Sequence, residues 1–385
     1  MISRAAFFRK AYHGSGHGEI LRGKQGGTGI DTRLRNRDTC HRQSDPIQSM
    51  RKFTLPVLFS LVVAVCNAGE PYHFIKEIPV SGDDGWDYLS VDSVAQRLYV
   101  SHGTKVVVID LNKDAVVGEI ADTPGVHGMA IAAELNRGFT SNGRENKAGI
   151  VDLKTLQTIS KVPTGDNPDA MLYEPGRQEV YMFNGRGESA TVIDAKSGKV
   201  VATIPLGGKP EFAQADSKTG LVFCNLEDKN ELLSIDISKH EVVKRWPITP
   251  GEGASGLALD GKNHRLFLGC GGSKTMVMMD SNSGRVLASV PIGEGVDANA
   301  YDPGTQLAFA SCGDGTTTIA RVDGDKLAVV QTLKTEPGSR TMALDPATHK
   351  IYLAAAKFDA PAAGQRRGKM QPGSFRILIY GTEHK

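Results

Sequence analysis

Asp87, His127, Asp169, Glu211, Ser255, Asp297 and Arg340 stand at one register of a pattern repeated along most of a 385-residue chain. Four carboxylates, an imidazole, a hydroxyl and a guanidinium are groups that hold a divalent cation, a cationic ligand or a polyhydroxylated one. Hard oxygens with a single imidazole suit calcium or magnesium, and the expected metal ligands are Asp87, His127, Asp169 and Glu211. If a bound ion activated water, His127 would be the general base. Crowded carboxylates raise one another's pKa unless a cation stands among them. Arg340 in the last unit neighbours Asp87 in the first if the units close into a ring, and is expected to pair with it. Against this stands a plain alternative, since a wet channel is lined by polar residues whether or not it binds anything.

The elements that bring these residues together follow from the repeat. An apolar-Asp step recurs as Val108-Ile109-Asp110, Ile150-Val151-Asp152, Val192-Ile193-Asp194, Ser234-Ile235-Asp236 and Met278-Met279-Asp280, with spacings of 42, 42, 42 and 44 residues. A fixed period in the forties with strand-like runs between turns marks a propeller, because one such unit cannot bury its own sheet faces. The first unit contains four extended runs, Asp87–Asp92, Arg97–His102, Lys105–Leu111 and Val116–Ile120, joined by Gly, Asn and Lys. Units start near Trp86, Val126, Asn167, Lys209, Ala254, Gly295 and Gly338. The sixth departs from the pattern, with Ala320-Arg321-Val322-Asp323 at the Ile-Asp step. The seventh supplies only Thr341–Asp345, Lys350–Ala356 and Phe375–Gly381, and Tyr72–Val80 alternates like the missing strand. The chain is therefore expected to be all-β, a seven-bladed β-propeller of four-stranded antiparallel blades, closed by the N-terminal strand completing blade seven. In the first strand of each unit large residues (Leu89, Met129, Met171, Leu257, Met342) alternate with small ones (Gly128, Gly256, Ala298), so that blade faces interlock.

Residues 1–49 lack the repeat and hold nine Lys/Arg against four acids. Met50-Arg51-Lys52, the apolar run Phe53–Val65 and Cys66-Asn67-Ala68 have the layout of a signal peptide over 50–68, cut after Ala68. Residues 1–49 are then an upstream over-extension of the start or a basic leader, and residues 69–385 form one propeller domain. A periplasmic or secreted monomer is expected, with no transmembrane anchor after cleavage, since the apolar run is too short to span a bilayer. The whole chain carries +2; residues 69–385 carry 34 Lys/Arg against 39 Asp/Glu, or −5, which disfavours a polyanion such as nucleic acid as partner. Cys224, Cys270 and Cys312 read as buried strand thiols, with a Cys270–Cys312 bridge the alternative.

A second aligned position ends the second strand of each unit: His102, Asn142, Asn184, Asn225, Cys270, Ser311 and Ala355. Its asparagines, followed by glycine at Asn142-Gly143 and Asn184-Gly185, read as turn residues that tolerate positive φ. Trp86, Tyr88 and Phe212 form either an aromatic wall at the mouth or part of the core. Lys357–Gly373, with Arg366-Arg367-Gly368-Lys369, is an irregular insertion that reads as a solvated loop, a lid being the alternative. No glycine-rich phosphate loop, His-Glu-x-x-His, Cys-x-x-Cys-His or nucleophile elbow occurs.

Tyr99-Val100-Ser101-His102, Phe139-Thr140-Ser141-Asn142, the Val-Ile-Asp strand and Gly198–Ile204 resemble the signature of the YVTN-repeat (YncE-like) seven-bladed propellers of the bacterial envelope, over residues 72–381. The signature decays at Phe223-Cys224-Asn225, Leu268-Gly269-Cys270 and Ala310-Ser311-Cys312. The resemblance implies the fold and export. It leaves three functional expectations: a non-catalytic scaffold for a small ligand or an envelope protein, a metal-dependent lactonase or lyase at the acidic mouth, and a DNA-binding propeller as in one member of the family. A quinone cofactor is disfavoured, because Trp86 and Trp246 are the chain's two tryptophans and Trp246 falls in an outer strand.

Overall fold

Each apolar run between turn residues is a strand, and the strands form seven antiparallel sheets of four in the computed structural model, which describes residues 71–361, 364 and 368–382. Residues 1–49 and the 50–68 segment lie outside the described residues, as do Arg366 and Arg367. In blades one to six the strands pair in chain order, inner to outer. The inner strands are Trp86–Asp92, Val126–Ala132, Pro168–Glu174, Pro210–Asp216, Ala254–Asp260 and Val296–Asp302. Blade seven combines Met342–Asp345, Lys350–Ala355 and Arg376–Gly381 with the N-terminal strand His73–Pro79, which takes the outermost place. The expected closure is thus observed, with Pro79 opposite Arg376 and His73 opposite Gly381. Tyr72 secures it: its backbone N–H and C=O bond the Gln331 side-chain amide of blade six, and its hydroxyl donates to the His349 carbonyl at 2.6 Å.

The second and third strands of each blade are buried on both faces, which is why Val106–Ile109 reads as an unbroken apolar run. Outer strands show solvent one face, and Val117 and Val201 lie exposed there. The recurring aspartates shape the turn between third and fourth strands. Oδ1 of Asp110, Asp152, Asp236 and Asp280 accepts the N–H groups two and three residues on. In blade six Arg321, opposite Leu307, holds the position that the aspartates hold in blades one to five. That strand runs on to Asp323 before turning. The large-against-small packing holds as well: a Cβ on Gly256 would stand 2.5 Å from the Asn299 backbone nitrogen of blade six.

Cys224, Cys270 and Cys312 are free and buried, and burial pushes the thiols of Cys270 and Cys312 up to about 12. Among the described residues no helix is long and apolar enough to cross a membrane.

Candidate site at the channel mouth

Six of the seven aligned residues share one local device. Asp87, His127, Asp169, Glu211, Ser255 and Asp297 are each the second residue of an inner strand, and in each blade the pairing with the second strand slips at that residue. A bulge frees the residue from the ladder and re-aims its side chain. Repeated round the ring, the bulges bring Asp87, His127, Asp169, Glu211 and Asp297 within electrostatic reach of one another at one mouth.

The structure brings the first three together most closely. His127 Nδ1 lies 2.7 Å from Asp87 Oδ2 and 3.4 Å from Asp169 Oδ1, and one donor atom from each residue falls within 4.8 Å of the others. The carboxylates only accept, so Nδ1 carries the proton. Glu211, the fourth expected metal ligand, stands outside this group. The Lys209 ammonium meets its Oε2 at 2.9 Å while donating a hydrogen bond to Glu227. Ser255 is almost fully buried. Arg340 pairs with Asp297, Nε to Oδ2 at 3.3 Å, and the expected pair with Asp87 is not formed. The reason is local. The segment before the short inner strand of blade seven is tied to blade six, with Gly338 N–H donating to the Gly313 carbonyl and the Ser311 hydroxyl to the Arg340 carbonyl.

An aromatic pair crosses the ring. Tyr88 of blade one reaches across the ring to blade four, donates its hydroxyl to the Glu211 carbonyl at 3.1 Å and meets the Phe212 ring edge-to-face at 5.3 Å. Trp86 instead packs into the blade-one and blade-seven core, 5.0 Å from Phe375 and 6.1 Å from Phe358. The aromatic pair thus spans the ring beside the carboxylates, and together they line a polar cup.

The cup is strongly acidic. Burial raises the Asp169 carboxyl to about 6, with the charges of Asp87 and Asp297 adding to it against His127 and Lys209. Burial and the Asp169 charge raise Glu211 to about 7 despite Lys209. Burial raises Asp297 to about 7 despite Arg340. Burial alone would lower the His127 pKa, but the bond to Asp87 and the surrounding carboxylates overcome it and push it up.

The second aligned set supports the cup from behind. His102, Asn142, Asn184, Asn225, Cys270, Ser311 and Ala355 are buried strand residues, and the asparagines are not the positive-φ turn residues expected of them. Asn142 donates to Glu145 and Asn184 to Ser189 and Thr191 within their own blades, whereas Asn225 bridges two blades. Its Nδ2 donates at 2.9 Å to the carbonyls of Ala254 and Ser255, and its Oδ1 accepts the Phe212 N–H at 2.8 Å. Gly143 is likewise a matter of space rather than of φ: a Cβ there would stand 2.7 Å from His127 Nε2. Lys209 and Gly143 escaped the reading of the repeat because each lies outside the aligned register.

The described ends of the insertion, 357–361 and 368–373, pair with each other and reach the segment before the inner strand of blade one. Phe358 bridges Met370, and Gly373 N–H donates to Asp83 Oδ1.

Fold and site together define a seven-bladed β-propeller with a carboxylate-rich cup at one mouth. Its architecture is similar to that of U3-55K (TM-score 0.68, 10% identity, 80% of this chain and 98% of that one) and of the RRP9 WD40 repeats (TM-score 0.69, 10% identity, with the same coverage). A chain of the Mitotic Checkpoint Complex is equally similar (TM-score 0.68, 11% identity, 91% and 100%). Identities this low establish the fold alone. No family model matches the chain, and no curated protein does.

Proposed function

We propose that this protein is a binding propeller whose cup takes a small cationic ligand, and that it does so as an exported member of the YVTN-repeat (YncE-like) group. The charge balance of the cup carries the reading. Five carboxylates, Asp87, Asp169, Glu211, Glu227 and Asp297, face two fixed cations: Lys209, shared by Glu211 and Glu227, and Arg340, paired with Asp297. Asp87 and Asp169 keep only a shared imidazole. Carboxylates crowded and partly buried in this way favour whatever brings positive charge to them. The propeller scaffold fits a binding role, and the signal-peptide pattern over 50–68, with residues 69–385 as the mature domain, supports export.

Calorimetric titration of the full chain with divalent metal ions and with small organic amines, at constant ionic strength, tests the reading. Saturable heat with one of these classes, lost in Asp169→Asn combined with Glu211→Gln, is expected. Absence of saturable binding by every cation offered would refute it. Export is checked by the N-terminal residue of protein recovered from the periplasm, expected to be Gly69.

The His127 group also favours a second reading, a metal-dependent lactonase or lyase with His127 as general base. Hydrolysis of simple lactones that survives chelation, or survives His127→Ala, would exclude it.

A further inference from the structure

We propose that Asp87, His127 and Asp169 form a three-donor site for one divalent first-row transition-metal ion, a reading that rests on the cationic-ligand cup and specifies its occupant. Donor spacing is the first argument. Ligands sharing an ion at about 2.0–2.2 Å stand roughly 3.0–3.4 Å apart in octahedral or tetrahedral arrangements. His127 Nδ1 lies 2.7 and 3.4 Å from the two carboxylate oxygens and all three donor atoms fall within 4.8 Å of one another, so an ion replacing the Nδ1 proton would draw the oxygens in around itself.

Charge is the second argument. Lys209 and Arg340 already answer Glu211 and Asp297. Asp87 and Asp169, the two carboxylates in contact with the imidazole, match the charge of one divalent ion. Ligand type is the third. One imidazole among three donors suits zinc, cobalt, nickel, iron or copper, whereas calcium asks for six to eight oxygens, so the calcium or magnesium expected from composition is the poorer match. Preorganisation is the fourth. The donors come from three neighbouring blades, each aimed by its own strand bulge, and Gly143 leaves the room the imidazole occupies. The remaining coordination positions open into the cup, where water or a ligand atom would complete the shell.

The test is titration of the full chain with Co²⁺ and Zn²⁺ against Ca²⁺, read by Co²⁺ visible absorption and by calorimetry. Wild type, His127→Gln and Asp87→Asn are compared, with circular dichroism and melting curves to confirm folding. His127→Gln keeps a neutral polar side chain and every carboxylate but removes the nitrogen ligand. Expected are one Co²⁺ per chain with ligand-field bands, Zn²⁺ binding at least about 100-fold tighter than Ca²⁺, and at least a tenfold loss of affinity in folded His127→Gln and Asp87→Asn. Unchanged Co²⁺ bands in His127→Gln would overturn the site in favour of a diffuse acidic screen, and so would equal affinity for Ca²⁺ and Zn²⁺. If metals fail to bind while an organic amine saturates the cup, this inference falls and the broader cation reading stands. If neither binds, both fall.

Discussion

Asp297→Asn should change how the stability of this protein depends on pH. Burial raises the Asp297 carboxyl to about 7, while an unfolded aspartate titrates near 4. Between those values the unfolded chain has released the proton that the folded protein keeps. A group raised in this way contributes its full stability below about pH 4 and loses it as pH rises through about 7. From pH 5 to about 7 the ceiling is two pH units at about 1.4 kcal/mol each, or about 2.7 kcal/mol. Arg340 is largely exposed and the carboxylate faces a solvated cup, so about 1–2 kcal/mol is expected. The groups facing Asp297 from the other blades, Asp87, Glu211, Glu227 and Arg340, are present in both proteins. So are the other groups that titrate in the window: Asp169, Glu211, His127 raised by its carboxylates, and His102, lowered by burial and acting in the opposite sense. To first order they cancel in the comparison. Urea unfolding at pH 5.0 and 7.5 with EDTA at 0.15 M salt is the assay. Wild type is expected to lose about 1–2 kcal/mol more than Asp297→Asn across that interval. Parallel losses, or a wild type that gains stability relative to the variant, would refute the account of Asp297 as a carboxyl whose burial outweighs its pairing with Arg340.

Other expected outcomes follow from single contacts. Gly143→Ala sets a Cβ 2.7 Å from His127 Nε2 and should swing the ring off Asp87, lowering the His127 pKa toward 6.5 in a histidine NMR titration at a cost of about 1–3 kcal/mol. Gly185→Ala, whose nearest neighbour would be an ordinary 3.5 Å away, should do neither. Asn225→Ala leaves the Phe212 N–H without its acceptor and two buried carbonyls without their donor, and should cost about 2–4 kcal/mol in denaturant unfolding while loosening cation binding in the cup. Gln331→Ala removes both bonds that hold Tyr72 to blade six, and should lower the melting temperature by about 2–6 °C and speed hydrogen exchange in His73–Pro79 first.

What the sequence disclosed and what it withheld divide along a physical line. Strand number, blade closure and the shared register of Asp87, His127, Asp169, Glu211 and Asp297 are set by periodic burial, and periodicity is visible in a string of letters. The pairing inside the cup depends on where a side chain leaves the register. Arg340 turns to Asp297 because two hydrogen bonds tie its backbone to blade six, contacts between residues 25 to 29 positions apart that no repeat encodes. Lys209 precedes its strand by one residue, so alignment on Glu211 passed over the cation that withdraws Glu211 from the metal group. The asparagines read as turn formers because residue type reports local preference, whereas Asn225 spends its amide across two blades. Tyr88 was open between wall and core until its hydroxyl was seen to cross the ring. The distinction bears directly on function. A ring of polar residues is what any wet channel offers, and it becomes a site only through asymmetry. Here the asymmetry is that Asp297 and Glu211 meet cations, the latter's shared with Glu227, while Asp87 and Asp169 share one imidazole, beside an aromatic pair that crosses the ring.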